Sequence, residues 1–452
     1  MTIRALVDAL AEKRLLARVR RRADPATEIA AVALTLWRER GQSTLFEDAG
    51  GTRAVSHLLA DRARWERALH VGPGGGLAFV RQALRGGIAP AFGADHGFQR
   101  HAPELERLPI PRAAAADAAA QMAAVAIVPD PETDRVWLGL TRHTVLGPAR
   151  LSVLDFPPAL AAVRRRWRET GGAMPLALAL GAAPAMILAG AIGRWREADA
   201  ALAGSLAGAS MRLVRADGRV FPAAAETVIL GAVAPDEIVE AGPLMTPFGT
   251  QAMEAGAVFH ADAILSRPDP VFHILQPGAS GDLAGALSLA AEALTAEHIR
   301  NIEGGIDIID VRCPPEEGAQ IVVLKLRARV MGQAKTALMG ALSGPVNAIK
   351  FAIGVDEDVD PADLRDVFWS MASRTHAETD VGMIDGMRAH PHDHAAVAAG
   401  KGGAPVVTRW FVDSTMPALT QPERRETFAR AIPRNLADIA LAGFLPEGWS
   451  PT

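Results

Sequence analysis

Met174 to Gly193 runs for about 20 residues without a charged side chain, the length a membrane span requires. Such a segment has to be buried, in lipid or in a protein core, and this limits the possible folds tightly. Gly181-Ala182-Ala183-Pro184 interrupts it in the middle. Glycine and proline punctuate regular structure. A buried strand, a turn and a helix starting after Pro184 therefore fit better than one long helix. The expectation is a soluble α/β (α+β) chain without a membrane span.

Composition supports this. The 452 residues are 49% hydrophobic and 22% charged, with a formal net charge of -4. Disorder needs the opposite balance, and so small a charge gives no general case for nucleic acid as a partner. Tyrosine is absent, which argues against aromatic platforms for single strands. Cys313 is the only cysteine, so no internal disulfide or multi-cysteine metal site can form. A reducing, cytoplasmic compartment is expected, with Cys313 packed at a strand end. Met1 to Arg22 has an amphipathic basic helix pattern and lacks the apolar core of a secretory signal.

Short β-type runs dominate from Met122 to about Leu326, among them Val136 to Leu140, Thr227 to Leu230 and Ile321 to Leu324. They suggest a barrel or sandwich with inserted helices after Pro184 and from Ala284 to Ala296. Beyond Ala334 helix and strand alternate. Lys350 opens a buried strand reaching Val355, and Asp360-Pro361 is expected to start a helix to Arg374. The acidic run Asp356-Glu357-Asp358 suits helix capping and pairing with Arg365 and Arg374 better than cation binding. Gly72 to Gly76 has neither a Walker lysine nor fingerprint spacing and reads as a plain turn. His260 and His273 fall in apolar strands and read as core histidines. His390-Pro391-His392-Asp393-His394 has metal-ligating residue types, but a proline-containing run beside Ala395 to Gly403 reads as an exposed loop.

Val355-Asp356-Glu357-Asp358-Val359-Asp360-Pro361, followed by Asp363 to Trp369, resembles the acidic strand-to-helix segment of the UbiD family of decarboxylases. Other segments agree in the same order. Leu45-Phe46-Glu47-Asp48 resembles its N-terminal strand, Leu138-Gly139-Leu140-Thr141-Arg142 its flavin-binding strand, and Leu180 to Ala185 its Gly-Ala-Asp-Pro turn. Pro222 to Gly231, Asp269 to His273 and Gly332-Gln333-Ala334-Lys335 continue the series.

The resemblance implies an N-terminal α/β domain at 1–112, a split β-barrel flavin-binding domain at 113–328 and a C-terminal α/β dimerisation domain at 329–452. It implies prenylated FMN from a flavin prenyltransferase, with a divalent metal (manganese) and potassium at the phosphate. The implied reaction is reversible, non-oxidative decarboxylation of an aromatic or α,β-unsaturated acid by a homodimer or higher homo-oligomer. The catalytic arginine falls on Arg142, flavin contacts on Leu140, Thr141 and Arg142, and the phosphate-pairing lysine on Lys350.

The departures lie at the chemistry. The family's metal-binding asparagine falls on Trp137, and no histidine lies near Phe156-Pro157-Pro158. Asp199 replaces the metal-binding glutamate. The paired acids of the family's Glu-Gly-Pro-Phe-Gly-Glu fall on Met245 and Thr250, or leave only Glu240. Glu240, with Glu254 as an alternative, is the expected proton donor. The competing reading is a non-catalytic, UbiD-like scaffold subunit of a larger (de)carboxylase. A dinucleotide-binding dehydrogenase is disfavoured, because no Gly-x-Gly-x-x-Gly follows a strand.

Overall fold

A computed structural model describes residues 1–433, apart from 95–96, 155, 279, 303–304, 315–317 and 399–404, together with 439 and 444. Gly402 and Gly403, in the stretch after the histidine run, lie outside the described residues.

The uncharged segment resolves as strand Met174–Leu180, a turn, and helix Pro184–Ile192. Gly181 makes the turn at φ +65°, and a Cβ there would lie 2.6 Å from the Glu226 side chain. The helix is apolar all round and wholly buried, as such a helix must be. Among the described residues no helix is long and apolar enough to cross a membrane.

Strand Met174–Leu180 belongs to a closed six-stranded antiparallel barrel. Its order is Thr227–Met245, Met174–Leu180, Gln121–Pro129, Val136–Gly147, Arg150–Val153 and Gln251–Ser266, and the last pairs back with the first. Gln121–Pro129 is apolar along nearly its whole length because both faces are covered. Met122, Ala124 and Ala126 belong to a core shared with Leu151 and Phe259, while Ala123, Val125 and Ile127 share a core with helix Pro184–Ile192.

Ahead of the barrel, helix Ile3–Glu12 is followed by strand Leu16–Val19. The single helix expected over Met1 to Arg22 is thus corrected, because the second half pairs in parallel with Ser43–Phe46. Arg53–Ser56 and Val271–His273 complete that sheet. The buried helix Asp282–Ile302 then crosses to the C-terminal region. At its start the Asp282 carboxylate accepts from the Leu59 N–H at 2.5 Å and lies 2.7 Å from His273 Nε2, so His273 is a core histidine held through Nε2, while its buried Nδ1 has no partner among the described residues. His260 is not one: it is exposed beside Glu237 at 2.7 Å.

The C-terminal sheet has the order Asp307–Arg312, Ile321–Arg327, Phe351–Val355, Pro405–Ser414, Val381–Arg388. Ile321–Arg327 pairs in parallel with Phe351–Val355, so this run adds to the C-terminal sheet and not to the barrel. The helix after the acidic run is Leu364–Arg374, capped by Asp363 instead of Asp360. Asp358 pairs with Arg374 at 2.6 Å and Asp356 with Arg425 at 2.5 Å. Cys313 is buried, and burial raises its thiol pKa well above the usual value.

Gly181→Ala combines a left-handed backbone with a clash. Gly208 has the same φ of +65°, but a Cβ there would meet open space. Gly208→Ala should cost about 1 kcal/mol and Gly181→Ala about 3 kcal/mol, read as denaturant midpoints. Equal losses would show that Glu226 yields freely.

Candidate active site

Strand alternation sorts the side chains of Val136–Gly147 between two faces. Thr144 is opposite Gln121, Arg142 opposite Ala123 and Leu140 opposite Val125. These six residues form one row on the outer face of the barrel. Thr141 and His143 point to the other face. Thr141 Oγ1 is 2.8 Å from His143 Nε2, and His143 Nδ1 is 2.9 Å from the Ser152 carbonyl oxygen. Burial is the main reason the His143 pKa falls to about 4, and the nearby Arg142 charge lowers it further against the Ser152 hydrogen bond. The structure therefore brings Leu140 and Arg142 together but turns the Thr141 side chain away.

The Arg142 side chain is only 4% exposed. A buried charge is costly unless it is paired. Arg142 is ion-paired with Glu254, itself 7% exposed, and donates through Nη1 to the Met245 carbonyl at 3.1 Å. Glu254 Oε2 also lies 3.4 Å from His392 Nε2. His390 and His392 are buried and pack on Phe248, with ring centroids 4.7 and 6.3 Å away. Arg194 Nη2 reaches to 3.3 Å from His390 Nε2. Lys350 Nζ sits 3.1 Å from Asp393.

Two expectations are thereby corrected. The histidine run is only partly exposed: Pro391, His394 and Ala395 face solvent, while His390, His392 and Asp393 dock against the barrel and the Lys350 amine. Glu240 does not join Arg142. It pairs with Ala255 in the register, whereas Ala241 pairs with Glu254, so Glu240 lies on the opposite, exposed face. Sequence spacing missed this. Glu254 alternates correctly with Ala241, but only the register shift between Ala241 and Leu244 fixes which carboxylate faces Arg142.

Gln121 was also missed, although it is the polar residue that opens an otherwise apolar strand. It is 0% exposed. Neither its amide oxygen nor its amide nitrogen has a hydrogen-bond partner among the described residues, and the same holds for Thr144 Oγ1 and Gln276 Oε1. An unsatisfied buried polar atom costs about 1–3 kcal/mol. The Leu275 carbonyl accepts from the Ala123 N–H at 2.7 Å, which draws the Gln276 segment to this row. A cleft of about 740 Å³ is lined by Gln276, Met245, Gly249, Ala30 and Leu34. A buried row with an arginine, an unpaired amide and an unpaired hydroxyl suits a flat ligand bearing both donors and acceptors, as a flavin ring does.

The metal positions do not fit in this way. Asp199 Oδ1 accepts from the Ala201 and Leu202 N–H groups at 3.1 and 3.0 Å, capping helix Ala200–Ala207, and its Oδ2 accepts from Arg135 Nε at 2.7 Å. Its bridge partner is Trp137, which has no metal ligand to offer. Among the described residues no group of three or more His, Cys, Asp or Glu side chains is placed to hold a metal.

Three sequence families match in order along the chain, all from UbiD, 3-octaprenyl-4-hydroxybenzoate carboxy-lyase. They are its N-terminal domain over residues 7–84, its Rift-related domain over 92–280 and its C-terminal domain over 287–408. The UbiD-class enzyme HmfF from Pelotomaculum thermopropionicum in complex with FMN is 26% identical, with a TM-score of 0.87 over 98% of this chain and 100% of that one. An evolved dimeric form of HmfF in complex with prFMN is 25% identical, with a TM-score of 0.83 and the same coverage. The apo 3,4-dihydroxybenzoic acid decarboxylase AroY of Klebsiella pneumoniae is 21% identical and shares the fold, with a TM-score of 0.86 over 99% of this chain and 100% of that one.

His143 carries a pH dependence. Unfolded histidine titrates near pH 6.5, and folded His143 near 4. Between these values the unfolded chain binds a proton that the folded chain refuses, so stability is present above pH 6.5 and drains away toward pH 4. The loss is about 3 kcal/mol. His143→Leu should flatten the fall in denaturant midpoint between pH 7 and pH 4.5 relative to the parent protein; parallel curves would contradict this.

Proposed function

This chain belongs to the UbiD family of carboxy-lyases, and from that premise we propose that it uses prenylated FMN to decarboxylate, reversibly, an aromatic or α,β-unsaturated acid. The observation that carries the proposal is the buried row of Arg142, Gln121 and Thr144, with its unsatisfied amide and hydroxyl. A scaffold subunit without chemistry has no use for such a row, so that reading is not favoured. The FMN and prFMN complexes of HmfF support a flavin here.

In this reading Gln121 and Thr144 meet the polar edge of the ring, Leu140 packs beside it, and Lys350 holds the phosphate as a point charge. The bound cofactor supplies an acceptor for the electron pair released with CO2. The rest falls to side chains. Arg142 holds the substrate carboxylate through paired N–H donors. Glu254 already occupies that guanidinium. Two carboxylates sharing one buried cation cannot both stay ionised, and the weaker acid takes up a proton. Substrate binding thus protonates Glu254, with His392 at 3.4 Å as the nearby exchange partner. When the carbon–carbon bond breaks and CO2 leaves, Glu254 gives its proton to that carbon and returns as a carboxylate to Arg142. The role expected of Glu240 passes to Glu254.

Native mass spectrometry of protein co-expressed with a flavin prenyltransferase tests the proposal. One prenylated FMN per chain is expected, and Gln121→Leu should weaken FMN binding about tenfold, in line with one lost buried hydrogen bond. A ligand-free, colourless parent protein would sink the flavin assignment.

Asp393 adds a second test. Its carboxylate holds the Lys350 amine and competes there with a phosphate. Asp393→Asn should tighten FMN binding about tenfold, and Lys350→Met should weaken it about tenfold. An Asp393→Asn protein with unchanged affinity would separate Lys350 from phosphate binding.

A further inference from the structure

Arg135 stands at the place where a cation would sit beside Asp199. Its Nε donates to Asp199 Oδ2 at 2.7 Å and its Nη1 to Glu197 Oε2 at 2.9 Å. Its guanidinium carbon lies 3.8 Å above the Trp137 ring. The same indole donates through Nε1 to Asp130 Oδ2 at 2.6 Å, and Asp130 is ion-paired with Arg166 at 2.5 Å. Every polar atom of Asp199 is therefore committed: Oδ1 to two backbone N–H groups and Oδ2 to the guanidinium.

Hard divalent cations require several oxygen ligands in a near-regular shell. The Trp137 side chain offers none, and both Asp199 oxygens already accept hydrogen bonds. A second cation would also face the guanidinium directly, and like charges repel. Guanidinium stacks on aromatic faces and binds carboxylates in a planar fork. The strand and the helix start are thus tied together by a covalently attached cation.

We infer that this chain holds its flavin without a divalent metal, the Arg135 guanidinium serving as the fixed cation at Asp199 and Glu197. The inference rests on the flavin reading given above. Its consequence is specific: cofactor retention does not respond to chelation.

Flavin-loaded protein, co-expressed with a flavin prenyltransferase, would be dialysed against EDTA and assayed for flavin by absorbance and for metals by plasma mass spectrometry. The expected result is an unchanged flavin-to-protein ratio with far less than one divalent metal per flavin before and after dialysis. Near-stoichiometric metal that leaves together with the flavin would overturn the inference while leaving the flavin reading intact. Protein that carries no flavin before dialysis overturns both. Manganese titration followed by electron paramagnetic resonance tests Arg135 itself. Apo parent protein should leave added Mn²⁺ free, whereas Arg135→Gln with Trp137→Asn, which releases Asp199 Oδ2 and Glu197 and supplies a further oxygen ligand, should bind it more tightly than Trp137→Asn alone. Binding by the parent protein, or equal binding by the two variants, rejects Arg135 as the cation.

Discussion

Closure of the barrel by Thr227–Met245 against Gln251–Ser266 is the constraint on which the rest depends. The two strands pair from Thr227 with Ser266 to Met245 with Gln251, across three register shifts. Closing a sheet removes its edges and gives every residue a fixed side. Met122, Leu151 and Phe259 fill the interior, while the outer face meets helix Pro184–Ile192 through Leu138, Leu140 and Val125. Even the approach of the closing strands is set locally, since a Cβ on Gly231 would come within 2.1 Å of the His260 carbonyl. Arg142 is buried because this arrangement leaves its side chain outside the barrel but beneath the C-terminal region.

That burial organises the electrostatics. A guanidinium with so little exposure draws carboxylates and carbonyls toward itself. Glu254 comes from the closing strand and the Met245 carbonyl from its neighbour, while His392 reaches Glu254 from the C-terminal sheet. Lys350 and Asp393 form a second, part-buried contact from the same C-terminal side. Beside these charged pairs, Gln121 and Thr144 are polar groups without partners, as are buried atoms elsewhere such as Thr44 Oγ1, Ser288 Oγ and Thr295 Oγ1; what distinguishes Gln121 and Thr144 is that they share one row with Arg142. Buried polar groups in proteins are nearly always bonded, so an unpaired amide and hydroxyl in the same row as a buried arginine are compatible with a ligand there.

Much of this was legible in the sequence. The strand, turn and helix of Met174 to Ile192 followed from an uncharged run broken by Gly181 and Pro184. Arg142 and Lys350 were singled out by family register; the structure links Arg142 through Glu254, and Lys350 directly, to the His390–Asp393 turn. Thr141 could have been set aside by alternation alone, since it cannot share a face with Leu140 and Arg142. The histidine run could not. Its polarity and its proline suggest solvent, and only docking against Phe248 and Glu254 buries it. Glu240 and Glu254 are equally plausible on paper, and the choice between them depends on an irregular register that no local pattern announces. The helix start moved from Asp360 to Asp363 for a smaller reason: either aspartate can cap, and Asp360 instead orders the preceding turn through the Ala362 N–H at 2.9 Å.

The displaced acid has a structural consequence. At Thr246 and Thr250 the hydroxyls are 2.8 Å apart and the Thr246 N–H donates to the Thr250 carbonyl at 2.8 Å, so this turn closes on itself and offers no carboxyl group. Glu254 lies on the strand beyond it, where the neighbouring chain is no longer a turn but the C-terminal histidine segment. A proton donor in that position is completed by His392, whereas one within the turn would be completed by the barrel alone. In the proposed mechanism the proton step is thereby tied to the docking of the C-terminal sheet on the barrel. The same segment holds Lys350 through Asp393. One stretch of four residues, His390 to Asp393, thus contacts both Glu254 and Lys350, so in the proposed mechanism any movement of it alters the acid and the phosphate-pairing cation together.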